Sequence, residues 1–121
     1  MDGAALNRRE LELYVNRVSD RWPVERALLG GARVDDARGA PPQRERGPEF
    51  VLVLVSQHFD GVPWLERVYQ AANLWDVAEM GDGADVHCYT PVEFGRKVEQ
   101  LPRVRAVAER GIDLLAEPAP S

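Results

Sequence analysis

Asp85 and His87 stand two residues apart in the segment Asp85-Val86-His87-Cys88-Tyr89, whose composition is typical of a β-strand. Side chains two apart on a strand project from the same face, so a carboxylate and an imidazole would lie side by side. This pair of groups could bind a transition metal. Two ligands make a weak site, however, and we favour the alternative, a structural carboxylate beside a hydrogen-bonded histidine.

Three other residue types could carry chemistry. His58 follows a buried apolar run and is interpreted as a turn residue rather than a general base. Cys88 is the only cysteine, so it cannot form an internal disulfide or build a zinc cluster, and we expect it to be a small core side chain. Trp64 and Trp75 are expected in the core rather than in a stacking platform.

Length and charge limit the classes of function. A chain of 121 residues fits one domain. Its formal net charge of −5 argues against nucleic acid as the main partner, because phosphate binding needs a basic surface. No apolar run approaches the roughly 20 residues of a membrane span. The segment Met1-Asp2-Gly3 does not resemble a signal peptide, so we expect a cytoplasmic protein.

The first half of the chain predicts a helix, a strand and a loop. The helix runs from Arg8 to Trp22, with a capping box formed by Asn7 and Glu10. A short strand over residues 24–29 stops at the Gly30-Gly31 pair. Residues 35–48 are rich in proline, glycine and charge, which predicts a mobile loop. We expect residues 1–7 and 117–121 to be frayed.

The second half predicts two strands, three helices and an edge strand. Residues 49–56 contain the unbroken apolar run Phe50 to Val55, which is typical of a central strand buried on both faces. A helix over residues 63–75 is predicted to bury Trp64, Leu65, Val68, Ala72 and Trp75. After the strand 85–89, Thr90, Pro91 and Glu93 predict a capped helix start. A short helix over residues 103–110 ends at Gly111, and residues 112–115 are a packed tail or edge strand. The fold class is therefore α/β (α+β), a single small domain in which helices back a mixed sheet.

Four segments together resemble the minimal nucleotidyltransferases, the small relatives of DNA polymerase beta. They are Gly30-Gly31-Ala32-Arg33, Leu54-Val55-Ser56 with Phe59-Asp60-Gly61, Asp85-Val86-His87-Cys88-Tyr89-Thr90-Pro91-Val92-Glu93-Phe94 and Val104-Arg105-Ala106-Val107-Ala108-Glu109-Arg110-Gly111-Ile112-Asp113-Leu114. The resemblance spans residues 8 to 116, and its C-terminal half is the more specific part. It implies a nucleotidyltransferase-like mixed sheet.

The resemblance also implies a catalytic site that is incomplete in this chain. In the family, an Asp-x-Asp pair and a third aspartate hold two Mg²⁺ ions, which clamp a nucleoside triphosphate. Here Glu49 and Val51 occupy the Asp-x-Asp positions, and Asp85 matches the third. The resemblance makes Glu49 and Asp85 vestigial catalytic and metal-binding residues. It makes Gly30, Gly31 and Arg33 the nucleotide-binding residues, with Gly31 in place of the family's serine.

Three functions follow from this resemblance. The first is a degenerate, catalytically inactive protein that acts through protein contacts, antitoxin-like, with a small helical ribonuclease or a second copy as its partner. No cofactor is then expected. The second is an active enzyme that uses Mg²⁺ at Glu49 and Asp85, with a further ligand such as Asp35 or Asp36 from the loop. The third is a nucleotide-binding sensor that keeps the pocket without the chemistry.

Overall fold

The central strand β2 spans Phe50–Val55, and all six of its side chains are buried. Its lack of polar alternation reflects coverage on both faces, as predicted. The computed structural model describes residues 6–39 and 47–116. Within these residues β2 is the strand from which the rest of the sheet is built.

The sheet has four strands in the order β3-β2-β1-β4. Strand β1 (Arg26–Gly30) is antiparallel to β2, and β3 (Ala84–Tyr89) is parallel to β2. The short edge strand β4 (Ile112–Asp113) is antiparallel to β1. A mixed sheet in a single small domain confirms the predicted α+β class.

Helices cover both faces of the sheet. One face packs against α1 (Arg8–Arg21), α3 (Trp64–Asn73) and the short helices α2 (Ala32–Ala37) and α4 (Val77–Met80). The opposite face packs against α5 (Pro91–Gln100) and α6 (Pro102–Arg110). The side chains of β2 alternate between these two cores, which makes three layers. In the described part of the chain, no helix has the length and apolar character needed to cross a membrane.

The cap predictions hold in different degrees. At α5 the full capping box is present, because Thr90 Oγ1 accepts from the Glu93 amide and Glu93 accepts from the Thr90 amide. At α1, Asn7 Oδ1 accepts from the Glu10 amide at 3.1 Å, but the Glu10 carboxylate pairs with Arg17 instead of closing the box. Helix α6 ends at Gly111 as predicted.

Two predictions about irregular segments need correction. The first residues of the predicted loop 35–48 are helical, since helix α2 continues through Ala37. The buried Val34 anchors this short helix. The prediction of a frayed 1–7 segment is wrong at Asn7, which caps α1 and donates from Nδ2 to the Glu79 carbonyl at 3.3 Å. Residues 1–5, 40–46 and 117–121 lie outside the described residues.

The predicted inner face of α3 is wrong at Leu65 and Ala72, whereas Val68 packs against the core as predicted. Leu65 is 78% exposed and Ala72 is exposed, whereas Arg67 and Ala71 are buried; Trp75, beyond the end of α3, is buried as predicted. The physical reason is Arg67, whose guanidinium donates to the Val62 carbonyl, the Cys88 carbonyl and the Glu93 carboxylate. These bonds satisfy a buried charge and fix the rotation of α3 about its axis.

The turn between β1 and α2 depends on a close backbone approach at Gly31. This residue has φ of +106°, and a Cβ there would lie 2.6 Å from the Glu49 carbonyl oxygen and 2.9 Å from the Phe50 Cα. Both atoms belong to the backbone that leads into β2, so they cannot move aside cheaply. Glycine is therefore required at this position for steric reasons alone.

We predict that Gly31→Ala lowers the free energy of unfolding by at least about 2 kcal/mol, through backbone strain and the clash with β2. The matched control is Gly95→Ala within α5, where a Cβ meets nothing within 4 Å. That change should be neutral or slightly stabilising, since alanine favours helix. Urea unfolding of both variants is the measurement, and equal stability for the two would contradict the close approach at Gly31.

Candidate functional site

The position between the two predicted carboxylates is filled by apolar packing. Val51 pairs in register with Asp85 on the adjacent parallel strand, so a carboxylate at position 51 would have been its neighbour. Val51 is instead 2% exposed and belongs to the core under α5 and α6, together with Val104 and Val107. Helix α6 therefore covers Val51, and the space left beside it is a small pocket of about 140 Å³ that Val51 helps to line.

Each of the two predicted catalytic carboxylates is held by a different arginine. Glu49, just before β2, accepts from Arg33 Nε of α2 at 3.1 Å. Asp85, on β3, accepts from Arg103 Nη1 of α6 at 2.8 Å. The sequence did not predict either ion pair. In both cases a guanidinium supplies the positive charge that a divalent cation would supply in a metal site.

His87 joins Asp85 to Tyr89 in a hydrogen-bonded row along one face of β3. Its Nε2 lies 3.1 Å from Asp85 Oδ2, and its Nδ1 lies 3.1 Å from the Tyr89 hydroxyl oxygen. Partial burial by itself would raise the pKa of Asp85. The hydrogen bonds and charges of His87 and Arg103 outweigh that effect and hold the pKa below its ordinary value.

The protonation of this row follows from its neighbours. Burial, with negative charge at Asp85 nearby, raises the pKa of Tyr89 to about 12, so the phenol stays protonated. An ionised Asp85 can only accept, so in the neutral imidazole the proton lies on Nε2. Nδ1 then accepts from the Tyr89 hydroxyl. Both ring nitrogens of His87 and the Tyr89 hydroxyl have partners, and Asp85 Oδ2 accepts from both His87 and Arg103, which supports the structural interpretation of Asp85 and His87.

The two amides that follow the Gly30-Gly31 pair are not free to bind a ligand. The first amides of α2, those of Ala32 and Arg33, donate to the Pro48 and Glu49 carbonyls at 2.9 Å each. In a phosphate-binding turn these groups would point at the anion. Arg33 does not line the space beside this turn, since its guanidinium contacts Glu49 and lies 5.1 Å from the centroid of the Phe50 ring.

A shallow pocket of about 140 Å³ adjoins the turn and brings together residues of α2 and α6. Gly30 and Gly31 form part of its wall, and Asp35, Arg103 and Arg110 bring charge to it. Arg103 and Arg110 were not predicted from the sequence as site residues. Their spacing of seven residues, two turns of one helix face, was the available signal.

The described residues do not fit a two-metal site. Among residues 6–39 and 47–116, no group of three or more histidine, cysteine, aspartate or glutamate side chains could hold a metal ion. Asp85 and His87 are hydrogen-bonded to one another, and Val51, the position at which the resemblance would place an aspartate, is buried. Mg²⁺ demands near-octahedral oxygen ligation, which these side chains cannot supply.

The remaining candidates have structural surroundings. The amide of His58 donates to Ser56 Oγ in a 3₁₀ turn (Gln57–Phe59), in agreement with the predicted turn. Cys88 is fully buried in the core as predicted, and burial raises its pKa to about 12, so the thiol stays protonated. Trp75 is in the core as expected, whereas Trp64 is 40% exposed and stacks on Tyr89 at a centroid distance of 5.3 Å.

Comparisons of the chain with protein-family models, with curated proteins and with solved structures gave no match. The resemblance drawn from the motifs therefore stays a prediction. The fold class does not depend on it, because the strand order and pairing are read directly from the structure.

We predict that Asp85→Asn lowers stability at neutral pH, by up to about 1 kcal/mol because the side chain is partly solvated. The folded pKa of Asp85 lies below its ordinary value of 3.8, so the carboxylate stabilises the fold above that value. This contribution is lost as the pH falls through the folded pKa. Urea unfolding of the parent and of Asp85→Asn should give free energies of unfolding whose difference becomes smaller at acidic pH. Asp60→Asn, at an exposed carboxylate, is the control, and a difference that widens in acid would exclude the role assigned to Asp85.

Proposed function

We propose that this chain is a nucleotidyltransferase-like protein without catalytic activity, and that it acts by binding another protein in the manner of an antitoxin. The observation that carries the proposal is Val51, buried against the helix α6 at the position where the resemblance requires a carboxylate. A metal-dependent transferase needs two ions held by three or so carboxylates. In this proposal the chain retains the framework of such a site, and the apolar side chain of Val51 occupies its centre.

The electrostatics support the same proposal. In an active site, carboxylates are left to bind cations, and the like charges are tolerated because the metal neutralises them. Here Arg33 and Arg103 neutralise Glu49 and Asp85 through direct ion pairs. These two acids therefore need no metal for their stability. This arrangement disfavours the alternative of an active Mg²⁺-dependent nucleotidyltransferase that uses Glu49 and Asp85.

The pocket beside Gly30 and Gly31 favours a second candidate, a nucleotide-binding sensor. Arg103 and Arg110 in its wall are suited to a phosphate group. Its volume of about 140 Å³ is small for a whole nucleotide, and the α2 amides beside it are already bonded. Binding in this candidate would depend on the two arginines and not on Mg²⁺.

Calorimetric titration with ATP, with and without Mg²⁺, separates the three functions. The proposed inactive protein gives no Mg²⁺-dependent binding and no adenylyl transfer to an added protein. Micromolar binding that a chelator abolishes would establish the enzyme instead. Binding that persists with chelator and is lost in Arg110→Ala would establish the sensor.

Restoring the missing acid is a second test. We predict that Val51→Asp lowers the free energy of unfolding by about 2–4 kcal/mol at neutral pH, since it buries an unpaired charge and removes apolar packing. The loss should shrink as the pH falls, because burial raises the pKa of an introduced carboxyl and protonation removes the charge. Added Mg²⁺-ATP should recover little stability.

The matched control is Val51→Asn, which has nearly the same shape as the aspartate variant but carries no charge. Its destabilisation should be smaller than that of Val51→Asp at neutral pH and nearly independent of pH. A Val51→Asp protein that is as stable as the parent, or that gains adenylyl transfer, would mean that the site is open to metal and solvent.

A further inference from the structure

The pocket between α2 and α6 has charges of both signs in its wall. Asp35 comes from α2, and Arg103 and Arg110 come from α6. Arg103 already donates to Asp85 at 2.8 Å, so its charge is balanced within the fold. Among residues 6–39 and 47–116, neither the Asp35 carboxylate nor the Arg110 guanidinium has a hydrogen-bond or ion-pair partner. The pocket therefore offers one negative and one positive group to a ligand.

The two charged walls are held at a fixed separation. A Cβ at Gly30 would lie 2.7 Å from Val107 Cγ2, so the glycine allows α6 to pack directly on the end of β1. Arg38, at the end of α2, donates to the Arg110 carbonyl and, at 3.4 Å, to the Gly111 carbonyl. These contacts tie α2 to the end of α6. A site on elements fixed in this way is preorganised, which lowers the entropy cost of binding.

The remaining wall of the pocket is apolar and the pocket is small. Val51 and Val107 are buried side chains that contribute to it, together with Ala32, and its other residues are glycine, alanine and proline. The volume is about 140 Å³. An apolar cavity of roughly 150 Å³ holds a molecule the size of benzene, whereas sites for drug-sized ligands run to roughly 300–1,000 Å³. The pocket thus suits a ligand of about six non-hydrogen atoms.

We propose that this pocket binds a small zwitterion, namely a free α-amino acid with a short apolar side chain. Its carboxylate would pair with the Arg110 guanidinium, whose planar fork matches a carboxylate, and its ammonium group would pair with Asp35. The short side chain would contact Val51 and Val107. The inference goes beyond the proposed function, since neither a metal ion nor a partner protein takes part in it.

The charge balance of the pocket selects against simpler ions. An anion such as phosphate could pair with Arg110 but would be repelled by Asp35. A cation could pair with Asp35 but would be repelled by Arg110. A ligand that carries both charges and has no net charge gains both ion pairs without either repulsion, so specificity comes from the unfavourable contact as well as from the favourable one.

The test is a titration of the ¹⁵N-labelled native chain with L-alanine, followed by two-dimensional NMR. We expect saturable shifts at the amides of Gly31, Asp35 and Gly111, but not at that of Gly95 on α5, with a dissociation constant of roughly 1–10 mM for so small a ligand. Propionate and ethylamine each carry one half of the charge pair. Each should bind at least about tenfold more weakly than L-alanine, because each leaves one wall facing a like charge or none.

Variants of the two charged residues assign the contacts. Arg110→Gln and Asp35→Asn should each weaken L-alanine binding at least about tenfold, since each removes one ion pair. The matched controls are Arg96→Gln and Asp60→Asn, at exposed residues outside the pocket wall, and both should leave the affinity unchanged. The spectra of the variants also show whether each is folded.

The inference is overturned if propionate binds as tightly as L-alanine, or if Asp35→Asn leaves L-alanine binding unchanged, because the carboxylate would then have no part in recognition. Tighter binding of inorganic phosphate than of L-alanine overturns it as well, in favour of an anion site. An absence of saturable shifts up to the solubility limit of L-alanine also overturns it. None of these outcomes bears on the proposed function, which the titration with Mg²⁺-ATP tests separately.

Discussion

Burial of β2 on both faces is the constraint on which the rest of the structure depends. A strand whose six side chains are all apolar must be covered above and below, so the chain needs one helical layer on each side of the sheet. Helices α1 and α3 supply one layer, and α5 and α6 supply the other. The position of α6 follows from this requirement, and it places Val104 and Val107 over Val51.

The same constraint decides the chemistry of the candidate site. Because Val51 is part of the core, Asp85 lies beside a buried apolar side chain in the sheet. The acids at the margin of this core need positive partners, and arginines on the helices at either side of the strand ends provide them. The apolar packing around Val51 and the two arginine ion pairs together stabilise this part of the fold.

The sequence predicted those features whose causes are local. The buried run of β2, the capping box at Thr90 and the common face of Asp85 and His87 depend on residues a few positions apart, so their patterns were sufficient. The rotation of α3 could not be predicted, because the acceptors that allow Arg67 to be buried lie on β3 and α5, which are distant in sequence. Helix α2 was missed because it is six residues long and its anchor is one buried valine. Of the site, the sequence predicted the carboxylates, but not the arginines that neutralise them.

The buried Arg67 has a consequence beyond the fold of one molecule. Strand β3 is at the edge of the sheet, and the carbonyl of Tyr89 faces β2, where it accepts from the Ser56 amide at 3.0 Å. Successive carbonyls of a strand point to opposite sides. The carbonyl of Cys88 therefore points to the open edge, where Arg67 donates a hydrogen bond to it. Because this carbonyl already accepts from a guanidinium, a backbone amide of another chain cannot bond to it. The side chain that orients α3 thereby also protects concentrated protein against strand-to-strand association at β3.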